Sequence, residues 1–133
     1  MTTSRRTFIK SASTLGALAT MPGWALAAGE AKQPLNLLVL GGTGFIGPHE
    51  INYAKSRGHK VTMFNRGKTA PGMFPDVENL IGDRDGELDA LKGREWDAVI
   101  DTSGYLPRQV AASAGLLAPH VGHYVFISTI SVY

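Results

Sequence analysis

A run of seven residues, GGTGFIG at 41–47, carries the clearest chemistry in the sequence. It follows a short apolar run, NLLVL at 36–40, and precedes a segment with apolar residues near helical spacing. Glycine permits a tight turn and leaves room for a phosphate, while the following helix N-terminus supplies N–H donors and a positive dipole end. A strand, a glycine turn and a helix in this order predict a dinucleotide-binding site. The predicted contacts are Gly41, Gly42, Thr43, Gly44, Phe45, Ile46 and Gly47.

The end of the second predicted strand indicates which dinucleotide the site takes. Sites for NAD usually place Asp or Glu there, about 20 residues after the glycines, to accept a hydrogen bond from the ribose 2′-hydroxyl. This strand ends instead in Asn65 and Arg66, with Lys68 close behind and no carboxylate. Because a guanidinium is a planar, bidentate donor that suits a 2′-phosphate, these residues favour NADP over NAD. Two alternatives stay open, which are a glycine turn without a ligand and a solvated basic loop.

The elements that must position these residues alternate between strand and helix. Strands are predicted over 36–40, 60–65, 77–81, 98–100 and 124–128, and helices over 45–57, 87–91 and 108–117. The alternation predicts an α/β fold, a Rossmann-type doubly wound parallel sheet with strand order 3-2-1-4-5. Because a complete sheet of this kind has about six or seven strands, we expect one truncated after the fifth strand.

The first 27 residues are typical of an export signal. Residues 4–10 (SRRTFIK) resemble a twin-arginine signal, a weakly apolar stretch follows at 11–24, and Ala25-Leu26-Ala27 offers a small-residue cleavage site. The stretch falls short of the ~20 apolar residues that span a bilayer, although a retained anchor is the alternative. We therefore expect export by the twin-arginine translocase to the periplasm or another extracytoplasmic space. The predicted divisions are a signal peptide at 1–27, a linker at 28–34 and an incomplete NAD(P)-binding Rossmann domain at 35–133.

Composition excludes several classes of function. The 133 residues include no cysteine, which rules out disulfides, thiolate metal sites and a cysteine nucleophile. The chain has 13 Lys+Arg and 11 Asp+Glu, and without Arg5, Arg6 and Lys10 of the leader the numbers are 10 and 11, a formal charge of −1. No basic run survives, so no nucleic-acid partner is expected. The four histidines share no metal-ligand spacing, and no metal site is predicted.

Taken together, the motifs resemble the extended short-chain dehydrogenase/reductase superfamily, in particular its NAD-dependent epimerase/dehydratase family. The resemblance covers residues 35–133, and LGGTGFIG at 40–47 matches the family's TGGxGFIG except for Leu40. It implies a Rossmann fold and a nicotinamide dinucleotide, NADP or NAD, as the cofactor.

Two further segments carry the resemblance towards the cofactor site. GDRD at 82–85 follows the third strand, where the family places an Asp against the adenine amino group. The resemblance implies that role for Asp83 and a neighbouring cofactor contact for Arg84. DTSG at 101–104 follows the fourth strand, where the family lines the central ribose and the diphosphate, and it matches only in part. The implied contacts there are Thr102, Ser103 and Gly104.

The last six residues, STISVY at 128–133, resemble the family's S-[ST]-x-x-V-Y segment. The resemblance implies that the Thr129 hydroxyl orients the substrate oxygen that is oxidised and stabilises charge on it; the alternative is a strand-end hydroxyl that satisfies backbone groups. The family's acid/base pair, Tyr with Lys four residues on, does not occur in the sequence. We therefore expect the chain to be the N-terminal portion of a longer protein.

The resemblance implies that this longer protein is an exported NAD(P)-dependent oxidoreductase, epimerase or dehydratase. Its substrate would be a sugar or sugar-nucleotide, and full-length members often dimerise through later helices. The 133 residues alone are expected to bind cofactor without turning over substrate. Two alternatives stay open, a non-catalytic relative that binds dinucleotide or RNA, and a non-functional truncation.

Overall fold

The structure is a computed structural model that describes residues 33–128. One sheet contains β1 Asn36–Leu40, β2 Lys60–Asn65, β3 Glu78–Ile81, β4 Trp96–Asp101 and β5 Val121–Phe126. Within this range the helices are α1 Gly47–Ser56, α2 Pro107–Leu117 and the short 3₁₀ segments Asp89–Leu91 and Ala118–His120. All neighbouring strands are parallel, in the order β3-β2-β1-β4-β5. The predicted Rossmann-type fold and strand order are confirmed.

The central strand β1 is buried on both faces, which explains its unbroken apolar sequence. Leu37 and Val39 join a buried cluster that includes Ile51 of α1. Leu38 points to the opposite face and joins a second cluster that includes Leu117 of α2. Each fully buried side chain of this size contributes roughly 1.5–3 kcal/mol of hydrophobic stabilisation. The two helices therefore sandwich the sheet and hold the carboxyl end of β1 in place.

The helix after the glycine turn begins at Gly47, two residues later than the sequence predicted. Pro48 lies in the first turn, where its missing N–H breaks no helical bond. Phe45 and Ile46, expected within the helix, precede its first residue, and Phe45 is 95% exposed. The helix ends at Ser56, one residue before the predicted end at Arg57, and Gly58 follows with a φ of +80° that suits glycine.

Strand β5 begins three residues earlier than predicted, at Val121. The residues Gly122 and His123 lack the apolar pattern of a strand, but they pair with β4, with Val121 opposite Trp96. A Cβ at Gly122 would lie 3.0 Å from the Asp97 carbonyl oxygen, so glycine permits this close approach. Pairing with a neighbouring strand, rather than hydrophobic periodicity, sets this boundary.

Several other boundaries differ from the sequence predictions: β3 and α2 each begin one residue away from the predicted start, and β5 ends two residues earlier, at Phe126. Strand β4 spans six residues where three were predicted, because its two ends pair with neighbours despite the charged side chains of Asp97 and Asp101. The helix predicted over 87–91 is one turn of 3₁₀ helix at Asp89–Leu91. Four to five residues are too few for a stable α-helical nucleus, so local packing selects the tighter turn.

The predicted signal peptide at 1–27, part of the predicted linker, and Thr129 lie outside the described residues. Within residues 33–128, no helix has the length and apolar content needed to cross a membrane.

Candidate functional site

A cavity of about 230 Å³ lies at the carboxyl ends of the central strands. This is the point where the chain order in the sheet reverses, with β2 on one side of β1 and β4 on the other. Ligands of doubly wound sheets bind in the crevice at this point. Of the predicted site residues, those that line the cavity are Gly41, Thr43, Gly44, Asn65, Arg66, Lys68, Asp83, Arg84 and Ser103.

An open, mostly apolar groove of about 740 Å³ adjoins the cavity and shares Tyr105 with it. Ile46, Thr102 and Gly104, also predicted as contacts, line this groove. Whole-ligand pockets usually enclose about 300–1,000 Å³, so cavity and groove together have the size of a dinucleotide site.

Close packing under the turn depends on the absence of side chains. A Cβ at Gly47 would lie 2.5 Å from backbone atoms of Gly42, nearer than real Cβ atoms ever approach. Gly41 has a φ of +113°, and its Cβ would lie 2.8 Å from Oγ1 of Thr102. These glycines bring α1, the turn and the end of β4 together, as a dinucleotide turn requires.

The N-terminus of α1 presents unused donors beside the cavity. Its N-cap residue, Ile46, makes no side-chain cap, and no hydrogen bond from the backbone N–H groups of Gly44 to Gly47 is found within residues 33–128. A Cβ at Gly44 would meet no atom within 4 Å, so the space beside this backbone is open. Free N–H groups and the positive end of the helix dipole form an arrangement that holds phosphate.

Asn65, the last residue of β2, uses both polar side-chain atoms in hydrogen bonds to nearby backbone groups. Oδ1 of Asn65 accepts a hydrogen bond from the Gly67 N–H at 2.7 Å, and its Nδ2 donates to the Gly41 carbonyl at 3.3 Å. Asn65 thus ties the basic loop to the glycine turn. Arg66 and Lys68 are exposed on the cavity wall, and neither forms a salt bridge with any described residue.

The loop after β3 places its two predicted residues differently. Oδ1 of Asp83 accepts a hydrogen bond from the Asp85 N–H at 3.0 Å, and Asp83 lines the cavity. Asp85 forms a bidentate pair with Arg108 at 2.8 and 2.9 Å, which lowers the pKa of its carboxyl. Arg84 is only 8% exposed and turns its guanidinium inwards.

The guanidinium of Arg84 forms a bidentate ion pair with Asp101, which is fully buried at the end of β4. Nη2 of Arg84 also donates to the hydroxyl of the buried Ser113, at 2.6 Å. Tyr124 of β5 donates to Oδ2 of Asp101 at 2.7 Å. Together these four residues, the Arg84 network, connect the loop after β3 with β4, α2 and β5.

The environment of the Arg84 network changes the pKa of the Tyr124 phenol. Burial, reinforced by the hydrogen bond to the Asp101 carboxylate, raises the pKa of Tyr124 to about 12, although the bond with Ser113 opposes the shift. Tyr124 is protonated at neutral pH, as an ordinary phenol is, and serves the network as a donor; the raised pKa extends this protonated range above pH 10.

Two hydroxyl groups in the loop after β4 form hydrogen bonds to the end of β1. Oγ1 of Thr102 and Oγ of Ser103 both donate to the Leu40 carbonyl, at 3.1 and 3.0 Å. The Ser103 N–H donates to Oδ1 of Asp101 at 3.2 Å. The predicted residues Thr102 to Gly104 thus lie between the glycine turn and the Arg84 network.

The buried polar residues that hold the loops of the cavity in place were not identified from the sequence. Asp101 and Ser113 were assigned no role, and Tyr105 and Gln109, which line the cavity, were not identified. A carboxylate that ends an apolar strand is a signal for Asp101, because such a charge needs a buried partner. Nothing in the sequence distinguishes Ser113 from the other small residues of its helix.

Residues 33–128 hold no group of three or more His, Asp or Glu that could bind a metal ion. They do carry the features that a dinucleotide requires: open space at Gly44, unused N–H groups at a helix N-terminus, and two cations on the wall. The Nε–H of Arg84 is buried with no partner among the described residues, which leaves one donor next to the cavity. The site fits a dinucleotide, and the fifteen predicted cofactor contacts stay predictions.

A family comparison agrees with this geometry. The profile of the NAD dependent epimerase/dehydratase family matches residues 37–123, well over half of the chain. The chain belongs to this family. The match spans β1, the glycine turn and the end of β4, so it includes every wall of the cavity.

Individual proteins that are similar to this chain include a plant protein and a bacterial enzyme. The chloroplast stem-loop binding protein of 41 kDa b from Arabidopsis thaliana is 31% identical over 119 residues, which cover 77% of this chain and 31% of that protein. The structure of the Bordetella bronchiseptica enzyme WbmG in complex with NAD matches with a TM-score of 0.61 at 13% identity, covering 74% of this chain and 39% of that one. The second likeness shows the fold alone. The chain spans about a third of the length of the curated relative.

Proposed function

We propose that residues 35–133 form the cofactor-binding part of an NAD(P)-dependent oxidoreductase, epimerase or dehydratase. The observation that carries this proposal is the set of unused N–H groups at Gly44 to Gly47, in a turn that is open at Gly44 and borders the cavity at the sheet's reversal point. Family membership and the NAD complex of a protein with the same fold support it. A bound nicotinamide would accept or donate a hydride, and this chain's residues would hold its diphosphate and ribose groups.

We further propose that the site prefers NADP to NAD. Both polar atoms of Asn65 are already bonded to the backbone of Gly67 and Gly41. Within residues 33–128 the one carboxylate that lines the cavity is that of Asp83, on the loop after β3 rather than at the end of β2. Arg66 and Lys68 line the cavity without a carboxylate partner among residues 33–128. Two such cations stabilise a 2′-phosphate and offer nothing specific to a hydroxyl.

Calorimetric titration of the chain with NADP⁺ and NAD⁺ tests both proposals. We expect tighter binding of NADP⁺, and a loss of about tenfold in NADP⁺ affinity for Arg66→Ala, with NAD⁺ affinity almost unchanged. Arg57→Ala is the matched control, because that guanidinium lies over the Tyr53 ring at the end of α1 and outside the cavity. Equal losses for both dinucleotides would contradict the preference, and no binding of either would contradict the cofactor site.

For the whole protein we propose a sugar or sugar-nucleotide substrate, with the Thr129 hydroxyl orienting the oxygen that reacts. The support is the resemblance of residues 128–133 to the family's S-[ST]-x-x-V-Y segment, beside the family match over residues 37–123. The test is an assay of the full-length gene product with sugar nucleotides, followed by nicotinamide absorbance, in which Thr129→Val should lower kcat. Because the printed sequence contains no Tyr-x-x-x-Lys, the 133 residues alone should show no turnover.

Binding of an RNA stem-loop is the second candidate, favoured by the name of the Arabidopsis relative. Charge argues against it, because described cations far from the cavity are mostly neutralised: pairs form at Lys55–Asp76, Lys92–Asp89, Arg94–Glu78 and Arg108–Asp85. A gel shift with an RNA hairpin at micromolar protein and two salt concentrations separates the candidates. A salt-sensitive shift would favour RNA.

We also propose export by the twin-arginine pathway, on the evidence of SRRTFIK at 4–10 and the small-residue site at 25–27. Arg5→Lys with Arg6→Lys should retain an epitope-tagged chain in the cytoplasm when cells are fractionated. Unchanged distribution of this double variant would contradict the proposal.

A further inference from the structure

We propose that the Arg84 network positions the backbone of residues 102–104 for the cofactor, and that Arg84 and Asp101 are positioning residues for ligand affinity rather than for stability. The inference rests on the proposed dinucleotide site. Asp101 is fully buried, so its effect on a ligand is exerted through the loop it holds; Arg84 also lines the cavity, but its Nη1 and Nη2 atoms are directed to Asp101 and, from Nη1, to Ser103 of the loop.

The network contacts this loop from two directions. The Ser103 N–H donates to Oδ1 of Asp101 at 3.2 Å, and Nη1 of Arg84 donates to Oγ of Ser103 at 3.4 Å. The guanidinium therefore contacts both the carboxylate that holds the loop backbone and the loop's own side chain. A shift of Arg84 would release both contacts together.

Gly104 shows how tightly the loop is packed. A Cβ there would lie 2.5 Å from Cγ2 of Val110, 2.8 Å from Cε2 of Phe126 and 3.3 Å from Nη1 of Arg84. The backbone at Gly104 thus rests on the network, on α2 and on β5 at once. Ser103 lines the cavity and Gly104 lines the adjoining groove. The position of these two residues therefore sets the path that a ligand takes between the cavity and the groove.

Stability alone does not account for an ion pair at this place. The free-energy cost of removing two charges from water is about as large as the gain from their attraction. Proteins in which apolar residues of similar volume replace such a pair are often as stable or more stable. Asp101 is 0% and Arg84 8% exposed, so this cost applies in full. The pair also leaves the Nε–H of Arg84 without a partner in the described part of the chain. An apolar pair would pack the same space, but it would give the Ser103 N–H no acceptor.

The test separates affinity from stability in the full 133-residue chain. The double variant Arg84→Met with Asp101→Leu replaces the pair by apolar side chains, and Lys55→Met with Asp76→Leu does the same to an exposed pair away from the cavity. We measure the melting temperature, the Kd for NADP⁺ and the amide chemical shifts of residues 102–104.

We expect the Arg84/Asp101 double variant to melt within a few degrees of the wild type, with NADP⁺ bound at least tenfold more weakly. Its ligand-free amide shifts should change at 102–104 and stay unchanged in α1, which general destabilisation would not produce. The Lys55/Asp76 variant should bind like the wild type. Wild-type affinity in the Arg84/Asp101 variant overturns the inference and leaves the proposed site intact.

If the double variant fails to fold, Arg84→Lys tests whether Arg84 positions residues 102–104 for the cofactor. Lysine keeps the charge against Asp101 but cannot donate from two nitrogens in one plane. We expect a folded chain with NADP⁺ affinity lowered severalfold, and unchanged affinity overturns the inference. If the wild type itself binds neither dinucleotide, the proposed function fails and the inference falls with it.

Discussion

The two sides of the cavity hold their backbones in opposite ways. On the β1–α1 side the glycine turn is shaped by missing side chains, because Gly47 and Gly42 approach to a distance that no Cβ allows. On the β4–α2 side the loop after Asp101 is held by buried polar groups, with Arg84 and Ser113 as partners. One side depends on steric exclusion and the other on a buried hydrogen-bond network.

The difference matters for how each side tolerates change. A steric contact fails when one methyl group is added, and nothing nearby can compensate. A hydrogen-bond network can lose one member and keep the rest, although a buried donor left alone carries a penalty. We therefore expect mutations to have larger effects under the turn than in the network.

The largest effect is expected for Gly47→Ala. The new methyl group would lie 2.5 Å from backbone atoms of Gly42, so the turn must move and the free energy of unfolding should fall by about 3 kcal/mol or more. Chemical denaturation followed by circular dichroism measures it.

Gly115→Ala is the matched control, because this helical glycine faces open space and the same substitution should stabilise α2 by about 0.5–1 kcal/mol. If the two variants had equal stability, the packing argument for the turn would be wrong.

An intermediate effect is expected for Ser113→Ala in the network. The Ser113 hydroxyl accepts from Arg84 at 2.6 Å and is fully buried, so its loss should lower the free energy of unfolding by about 1–3 kcal/mol. Ser56→Ala removes an exposed hydroxyl bonded to the Tyr53 carbonyl and should cost less than about 0.5 kcal/mol. If Ser113→Ala lowered the free energy of unfolding as much as Gly47→Ala, the two sides of the cavity would not differ in their tolerance of mutation.

The smallest effect is a pH dependence at Tyr124. Its folded pKa of about 12 lies above the ordinary value of 10.0, so its contribution is complete below pH 10 and is lost as the pH rises towards 12. The difference in unfolding free energy between wild type and Tyr124→Phe should shrink over that range, relative to its value at pH 8. Urea denaturation at several pH values measures it, and a constant difference would show that the phenol is not held by the network.

Much of the fold could be read from local patterns. The unbroken apolar run of β1 and the glycines after it predicted both a buried strand and the turn, and the order of elements predicted the sheet. The boundaries that failed are those that depend on partners. Val121 to His123 became strand because β4 pairs with them, and 89–91 became one 3₁₀ turn because it was too short to sustain a helix.

The candidate site divides in the same way. Glycines and loop cations have a local signature, so the sequence alone predicts that the turn, Arg66 and Lys68 share one site, and all three line the cavity. Arg84 was predicted as a cofactor contact and lines the cavity, and its guanidinium also pairs with Asp101, a residue 17 positions away in the chain. No local pattern indicates which buried carboxylate an arginine will meet.

The amino-acid sequence alone predicts a strand–glycine–helix unit, its place at the reversal of a parallel sheet, and the lack of a carboxylate directly after β2. These predictions follow from hydrophobic periodicity, from the conformational freedom of glycine and from the limited set of parallel topologies. The folded structure was needed to show that Asn65 is bonded to the turn and that Arg84, Asp101, Ser113 and Tyr124 form one network. Such contacts join residues far apart in sequence, and they exist only once the sheet has assembled around them.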